Sequence, residues 1–242
     1  ILITSHSTRI EGSTLTLNET RILIEDGNTP SGKSLLFSNQ TKDHYDALNF
    51  IIEQANKQTP ISVEFIQEIG AKVMKSTGEV FTNIFGTVDA SKGELRKVKV
   101  SAGGTSFMSF EKVPKALENL SRKLNEELPK QKTAEEQLAL SFYAHYELVN
   151  IHPFLDGNGR TSRLLMNFIQ QYYGLPLSIV FAEDKAQYYE ALESVREEEH
   201  FDRYNEFMFS QYEKHLRNEI TKEKENRLKE DKEIEWKPKF KH

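Results

Sequence analysis

Residues 152–173 (HPFLDGNGRTSRLLMNFIQQYY) limit the possible folds more than any other stretch of the chain. From Gly159 onward, Leu164, Leu165, Phe168, Ile169 and Tyr172 recur at the spacing of an amphipathic helix over residues 159–173, so one stripe must face a core. Gly157-Asn158-Gly159 stands at the start of that helix. Glycine reaches positive φ without a steric penalty, and such a turn points successive backbone N–H groups inward as an anion nest. The nest runs into a helix N-terminus, whose free N–H groups and dipole favour a phosphate.

The side chains around the nest are of matching chemistry. Arg160 and Arg163 are i and i+3, share a helix face, and carry planar forks suited to phosphate oxygens. Asp156, directly before the nest, suits Mg²⁺, which takes one or two carboxylates plus phosphate oxygens. His152 titrates near neutrality and can take the proton of an attacking hydroxyl. Base, metal ligand and polyphosphate cradle within twelve residues describe a phosphoryl- or nucleotidyl-transfer site.

The run His152–Arg163 resembles the signature of Fic-domain proteins, His-x-Phe-x-(Asp/Glu)-Gly-Asn-Gly-Arg-x-x-Arg, at every specified position. The resemblance implies a helical Fic core and transfer of AMP from ATP to a side-chain hydroxyl of a protein. His152 would then be the general base and Asp156 the Mg²⁺ ligand. Asn158 with the N–H groups of Gly157 and Gly159 would hold the α-phosphate region, and Arg160 and Arg163 the β- and γ-phosphates. Phe154 would pin the loop into the core. Relatives in this superfamily transfer AMP, UMP, phosphocholine or phosphate. Phosphate-transferring Doc-like members depart at the nest and the second arginine, so intact Gly159 and Arg163 favour AMP.

A second resemblance lies near the other end. Ser7-Thr8-Arg9-Ile10-Glu11-Gly12 is similar to the (Ser/Thr)-x-x-x-Glu-(Gly/Asn) inhibitory motif of this family. Ser7 and Glu11 are one helical turn apart, and Gly12 suits the left-handed position that ends a helix. The resemblance implies that Glu11 pairs with Arg163 and spoils the γ-phosphate seat, in the class with an N-terminal inhibitory helix. A glutamate so placed is also implied to align water for AMP removal in some settings. Two further regions follow from the family likeness. Tyr188-Tyr189 falls where aromatics contact adenine, and residues 95–107 fall where a hairpin flap docks the target as an added strand. Arg96, Lys97, Val98, Lys99 and Val100 are the docking candidates, for a protein substrate or for the chain itself.

Helical patterns dominate elsewhere, over 43–56, 61–75 with Pro60 as its first residue, 114–128 opened by Pro114, 133–150, 183–197 and 201–230. Thr133 and Glu136 predict a capping box, and 133–150 is apolar enough to be the buried central helix. Glu79–Val88 and Leu95–Val100 read as strands. The expected architecture is mostly α, a helical Fic fold with a small β-hairpin flap near the active site. It divides into an N-terminal region with the inhibitory helix (1–60), a core carrying flap and signature (61–205), and a charged helix and tail (206–242).

Composition narrows the partners. Net charge is −5, so no global basic field draws nucleic acid, and no run approaches the ~18 apolar residues of a membrane span. Cysteine is absent, which removes thiol catalysis and Cys-zinc sites and is compatible with the expected cytoplasmic location. Two rival functions stand beside adenylyl transfer. Gly27-Asn28-Thr29-Pro30-Ser31-Gly32-Lys33-Ser34 fits a P-loop, with Ile22-Leu23-Ile24 as its strand and 177–184 as a Walker-B-like run; as a mere turn it would leave Lys33 solvated. The other rival is a catalytically silent nucleotide-binding module.

Overall fold

The computed structural model describes residues 1–102 and 104–235. Their order is α1 (Leu2–Ile10), α2 (Leu17–Glu25), α3 (Leu35–Asn56), α4 (Val63–Val73), β1 (Val80–Asn83), β2 (Gly86–Asp89), β3 (Ser101–Ala102) and β4 (Thr105–Ser106). There follow α5 (Val113–Glu127), α6 (Ala134–Ile151), α7 (Asn158–Tyr172), α8 (Lys185–Glu198) and α9 (Asp202–Glu235). The mostly helical expectation holds. The tail at 236–242 lies outside the described residues. No helix among those described is long and apolar enough to cross a membrane.

The helix that carries the nest is also the centre of the fold. Every α7 residue from Arg160 to Gln170 is buried, and α7 packs on α3, α4 and α6. The buried central helix is therefore α7, rather than α6 as its apolar content predicts. Sequence periodicity hides this because the second face of α7 is polar, and towards its C-terminal half that face is paired within the protein. Ser162 Oγ donates to Gly159 O, Asn167 Nδ2 to Ser178 O, and Gln170 Nε2 to Ser141 Oγ and Ser178 Oγ. Buried polar groups are tolerated when they are paired.

Two apolar clusters meet along α6 and α7. One joins α3, α4 and α5 to Leu164, Leu165, Phe168 and Ile169. The other holds Ile10 and the buried faces of α8 and α9 against Phe142, Tyr146 and Met166. The capping box at the start of α6 forms as expected, with Glu136 N donating to Thr133 Oγ1 at 3.2 Å and Thr133 N to Glu136 Oε2 at 2.9 Å. Pro60 does not open α4. Ser62 caps that helix by accepting Phe65 N, and the helix begins at Val63.

The β structure differs from its expectation in detail. Glu79–Val88 is a hairpin and not one strand: β1 and β2 pair antiparallel, Val80 opposite Asp89 and Asn83 opposite Gly86. Gly86 takes φ 113° at the turn. Leu95–Val100 is not a strand at all. Arg96 is buried and Val98 is not, so the alternation seen with Lys97 and Lys99 is not a strand period. The pairing that exists there is shorter and later, β3 with β4, Ser101 opposite Ser106.

These facts remove the P-loop reading. Ile22, Leu23 and Ile24 lie in helix α2, not in a strand. Both sheets among the described residues are two-stranded and antiparallel, and 177–184 contributes no strand. Nor is Lys33 solvated: its Nζ donates to Thr14 O at 2.8 Å and pairs with Glu19 at 3.2 Å. Ser34 accepts Leu36 N and caps α3.

Candidate active site

α6 ends at His152, which caps it in the left-handed conformation, φ 52° and ψ 61°. That geometry is uncommon for a residue with a side chain and costs of order 1–3 kcal/mol. The backbone is held on both sides: His152 N donates to Leu148 O at 3.0 Å, and Arg96 Nε donates to His152 O at 2.7 Å. The ring lies 3.8 Å from the Phe107 ring, 17° from parallel. Its Nδ1 stands 3.2 Å from Val149 O. A carbonyl can only accept, so Nδ1 carries the proton and Nε2 keeps its lone pair. Burial, with the charges of Arg96 and Arg196, lowers the imidazole pKa to about 4, against the hydrogen bond to Val149 and the charge of Glu11. The free ring is neutral at pH 7, the protonation state of a base.

The loop after His152 is closed by Asn158. Its Oδ1 accepts Phe154 N and its Nδ2 donates to Phe154 O, each at 2.9 Å. The amide oxygen and one amide hydrogen are thus used within the loop, and the backbone N–H and the second amide hydrogen remain as donors. Phe154 is buried and pins the loop as expected, its ring against Gly70, where a Cβ would come within 2.8 Å. Gly157 caps α7 with φ 80°, and Thr161 N makes the first intrahelical bond back to it. The N–H groups of Asn158, Gly159 and Arg160 therefore open outward from the helix start.

Both arginines are buried, at 1% exposure for Arg160 and 3% for Arg163. Arg160 Nη2 reaches Met74 Sδ at 3.3 Å and Asp156 Oδ2 at 3.4 Å, while its Nε and Nη1 find no acceptor among the described residues. Unpaired buried guanidinium donors are costly, and an anion would satisfy them. Arg163 donates Nε to Ser7 Oγ at 2.9 Å and Nη2 to Ser7 O at 3.0 Å and Glu11 Oε1 at 2.7 Å. Gly12, with φ 98°, turns the chain away after Glu11.

Glu11 stands over the first turn of α7. A Cβ on Gly159 would overlap its Oε1, so glycine is what permits the approach. Burial pushes the Glu11 carboxyl up, but the charge and hydrogen bond of Arg163, with Arg160 and Lys185, outweigh it and hold the pKa below the ordinary value. Helix α1, which delivers this carboxylate, buries Thr4, Ser5, His6, Ser7 and Thr8. That face is polar and incompletely paired: Ser5 Oγ, and on the facing α3 Ser38 Oγ, Thr41 Oγ1 and His44 Nε2, find no partner among the described residues.

A cavity of about 830 Å³ opens at this point, lined among others by Glu11, Thr105, Phe107, His152, Gly159, Arg163, Tyr188 and Tyr189. The tyrosines part company there. Tyr188 is 1% exposed and Tyr189 is half open. Tyr204 donates to Phe142 O, so its oxygen accepts from His145 Nδ1, and Tyr188 donates to His145 Nε2 at 2.9 Å. Tyr188 is therefore a core residue at the cavity floor, and only Tyr189 offers a ring face to a base.

Asp156 is open, its side chain 66% exposed, with Oδ1 accepting Gly157 N. No cluster of three or more His, Asp or Glu side chains exists among the described residues that would hold a metal alone. The docking candidates are only partly placed for that role. Arg96 is removed from it: the residue is 1% exposed, its N donates to Pro153 O, and its remaining guanidinium nitrogens bond Val98 O and Met108 O. Lys97 Nζ is turned to Thr87 O, while Val98, Lys99 and Val100 lead into β3. Sequence reasoning missed Phe107, and it missed Arg96 as the support of His152. No local pattern marks either residue, because both contacts span more than forty positions.

The profile of the Fic/DOC family matches residues 60–170. The chain is similar to protein adenylyltransferase fic-1 of Caenorhabditis elegans, 34% identical over 77% of this chain and 35% of that protein. It is likewise similar to protein adenylyltransferase Fic of Drosophila persimilis, 33% identical over 79% of this chain and 35% of that protein. The chain thus spans about a third of the length of these curated relatives. Among solved structures, Fic-1 from C. elegans superposes with a TM-score of 0.78 at 28% identity, covering 93% of this chain and 63% of that one. A Fic domain containing signaling protein from Bacteroides thetaiotaomicron gives 0.70 at 29% identity, over 80% of this chain and 70% of its own.

Proposed function

Because the chain belongs to the Fic/DOC family, we propose that it is a protein adenylyltransferase that moves AMP from ATP to a Ser, Thr or Tyr hydroxyl of a protein. The carrying observation is the meeting, in one cavity, of the neutral His152 imidazole, the α7 start at Gly159 and the buried Arg163 guanidinium, whose Nη1 has no partner among the described residues. Relatives that are 33–34% identical carry the name protein adenylyltransferase.

In this reading ATP lies with its α-phosphate on the N–H groups of Asn158 and Gly159, the Gly157 N–H being taken by Asp156 Oδ1, with its outer phosphates on Arg160 and Arg163 and its adenine by Tyr189. The target hydroxyl enters past β3–β4 and attacks the α-phosphorus. The bond from that phosphorus to the oxygen bridging to the β-phosphate breaks, and pyrophosphate leaves. The hydroxyl proton passes to His152 Nε2, the free ring nitrogen. Held charges aimed at the transferring group supply most of the barrier lowering in such sites.

The residues present fit Mg²⁺ brought in with the nucleotide. One exposed carboxylate, Asp156, stands beside the phosphate seat, and this ion takes one or two carboxylates plus phosphate oxygens. Bound there it would neutralise charge on the phosphates. The Glu11–Arg163 pair makes the chain self-inhibited: it covers the α7 N-terminus and engages the arginine meant for the γ-phosphate.

Incubation with ATP and Mg²⁺, followed by intact-mass analysis, tests the proposal. The expected result is added adenylyl groups on the chain itself or on a captured target. Asp156→Ala should lose this labelling, with partial recovery at high Mg²⁺. Full labelling in excess chelator would exclude the metal role, and transfer of a phosphate alone would exclude adenylyl transfer.

A further inference from the structure

The ring of His152 is held by more than its hydrogen bond. Nδ1 donates to Val149 O at 3.2 Å, which fixes one atom of the imidazole but leaves its plane to be set by what lies on its faces. One face is taken by Phe107, centroids 3.8 Å apart and planes within 17°. Phe107 is the first residue after β4, and its N–H donates to Val100 O on the other arm of the β3–β4 hairpin.

That hairpin is itself anchored. Arg196 of α8 has its guanidinium carbon 5.4 Å from the Phe107 ring centre. Its Nη1 donates to Thr105 Oγ1 at 3.2 Å and to Glu193 Oε2 at 2.8 Å, and its Nε lies 3.4 Å from Asn150 Oδ1 on α6. Thr105 Oγ1 also donates to Glu193 Oε2 at 3.2 Å. The chain of contact therefore runs from α8, through the hairpin, to the plane of the imidazole. Where β3–β4 sits decides where Phe107 sits, and Phe107 decides where Nε2 points.

We infer that Phe107 is a positioning residue, which locks the imidazole plane of His152 and so links the placement of the β3–β4 hairpin to alignment of the base. The inference rests on the reading of His152 as the base. It gives the hairpin a role beyond contact with the target, since a substrate that settles the hairpin also settles the base. A displacement of about 1 Å in a reacting group costs up to ~100-fold in rate, so the plane of one ring is enough to matter.

The test compares Phe107→Ala, Phe107→Leu and Phe107→Tyr in the full chain, with and without Glu11→Gly. Phe107→Ala should lower kcat about 10- to 100-fold while leaving ATP affinity unchanged. Phe107→Tyr, which keeps the flat face, should restore most of the rate. Phe107→Leu, which keeps apolar bulk without the face, should not, and it guards against loss of folding in the alanine variant. Titration of the His152 ring by NMR is the second readout and needs no activity. Removing Phe107 uncovers the ring, so its midpoint should rise from about 4 toward the ordinary 6.5. The charges that face the ring, Arg96, Arg196 with its partner Glu193, and Glu11, are untouched by these variants. An unchanged kcat and titration in Phe107→Ala would overturn the inference, as would parallel loss of ATP affinity and rate in all three. Transfer that survives His152→Ala would instead remove the base reading, and the titration would still report whether Phe107 holds the ring.

Discussion

Replacing Glu11 with glycine is expected to raise AMP transfer by up to ~100-fold, the gain available when about 1% of molecules are competent at rest. The position of the carboxylate is the reason. It bonds Arg163 Nη2 at 2.7 Å and lies where any side chain on Gly159 would collide with it, over the N–H groups that a phosphate would use. The polyphosphate and Glu11 thus compete for the same donors. Glycine removes the competitor without removing a donor. Arg163 keeps its two bonds to Ser7, so the guanidinium stays placed. The chain should tolerate the change, because Glu11 follows the last residue of α1 and a glycine near a helix end costs about 1 kcal/mol.

Arg163→Ala gives the sign test. It too breaks the inhibitory pair, but it takes the γ-phosphate seat with it, so it should show no gain. The double variant should resemble Arg163→Ala alone. Labelling of the four proteins with a traceable ATP analogue measures all of this together. If Glu11→Gly binds ATP normally yet labels neither itself nor a target faster, Glu11 is not inhibitory. The polar seating of α1 bears on how relief is achieved. Its buried hydroxyls face Ser38, Thr41 and His44, whose side chains are incompletely paired. Each unpaired buried polar group costs about 1–3 kcal/mol. A helix held this way is easier to displace than one held by an apolar face.

Much of the site was legible because its chemistry is contiguous. The run from His152 to Arg163 names base, carboxylate, nest and arginines in order, and the fold needs only one loop and one helix start to assemble them. The Glu11–Arg163 contact joins residues 152 apart, and only the family likeness made it visible. Spacing carries no such information. The neighbours Tyr188 and Tyr189 were read as a pair, yet adjacent helical positions point about 100° apart, so one ring lies in the core and the other faces the cavity.

What stayed hidden has common physical causes. The family likeness places Arg96 in the docking flap, and charged side chains are rarely buried, yet here three main-chain carbonyls take its donors. The pattern over Glu79–Val88 resembles one strand because the turn of the 80–89 hairpin carries Ile84 and Phe85, exposed apolar residues in place of the usual turn formers. Helix α7 hides its central place behind buried Asn167 and Gln170, whose partners Ser178 and Ser141 lie outside the helix, and Ser162, which bonds back to Gly159 O. For Arg96, Asn167 and Gln170 alike, hydrogen bonds to other parts of the chain overrode the polarity that local patterns rely on.

His152→Ala should lower transfer by about 10²- to 10⁴-fold and leave ATP affinity where it was, since a general base acts on the barrier and contributes little to ground-state phosphate contact. The geometry predicts this separation. The phosphate donors belong to α7 and its cap, whereas His152 ends α6, and its ring touches Phe107 and Val149 rather than the arginines. A pH profile sharpens the claim. The base must be neutral to act, and its pKa in the free chain is lowered to about 4 by burial. The acid limb of kcat/KM, which reports the free enzyme, should therefore fall near pH 4 and not near the ordinary 6.5. Activity would be lost as pH drops through that value and be level above it until another group titrates. Lys33→Ala is the control, tied to Thr14 and Glu19 far along the chain from the signature, and should change nothing in this assay. Isothermal titration with ATP beside single-turnover labelling separates the two quantities. Equal loss of binding and transfer in His152→Ala would make it a binding or folding residue, and the base would have to be sought elsewhere in the cavity.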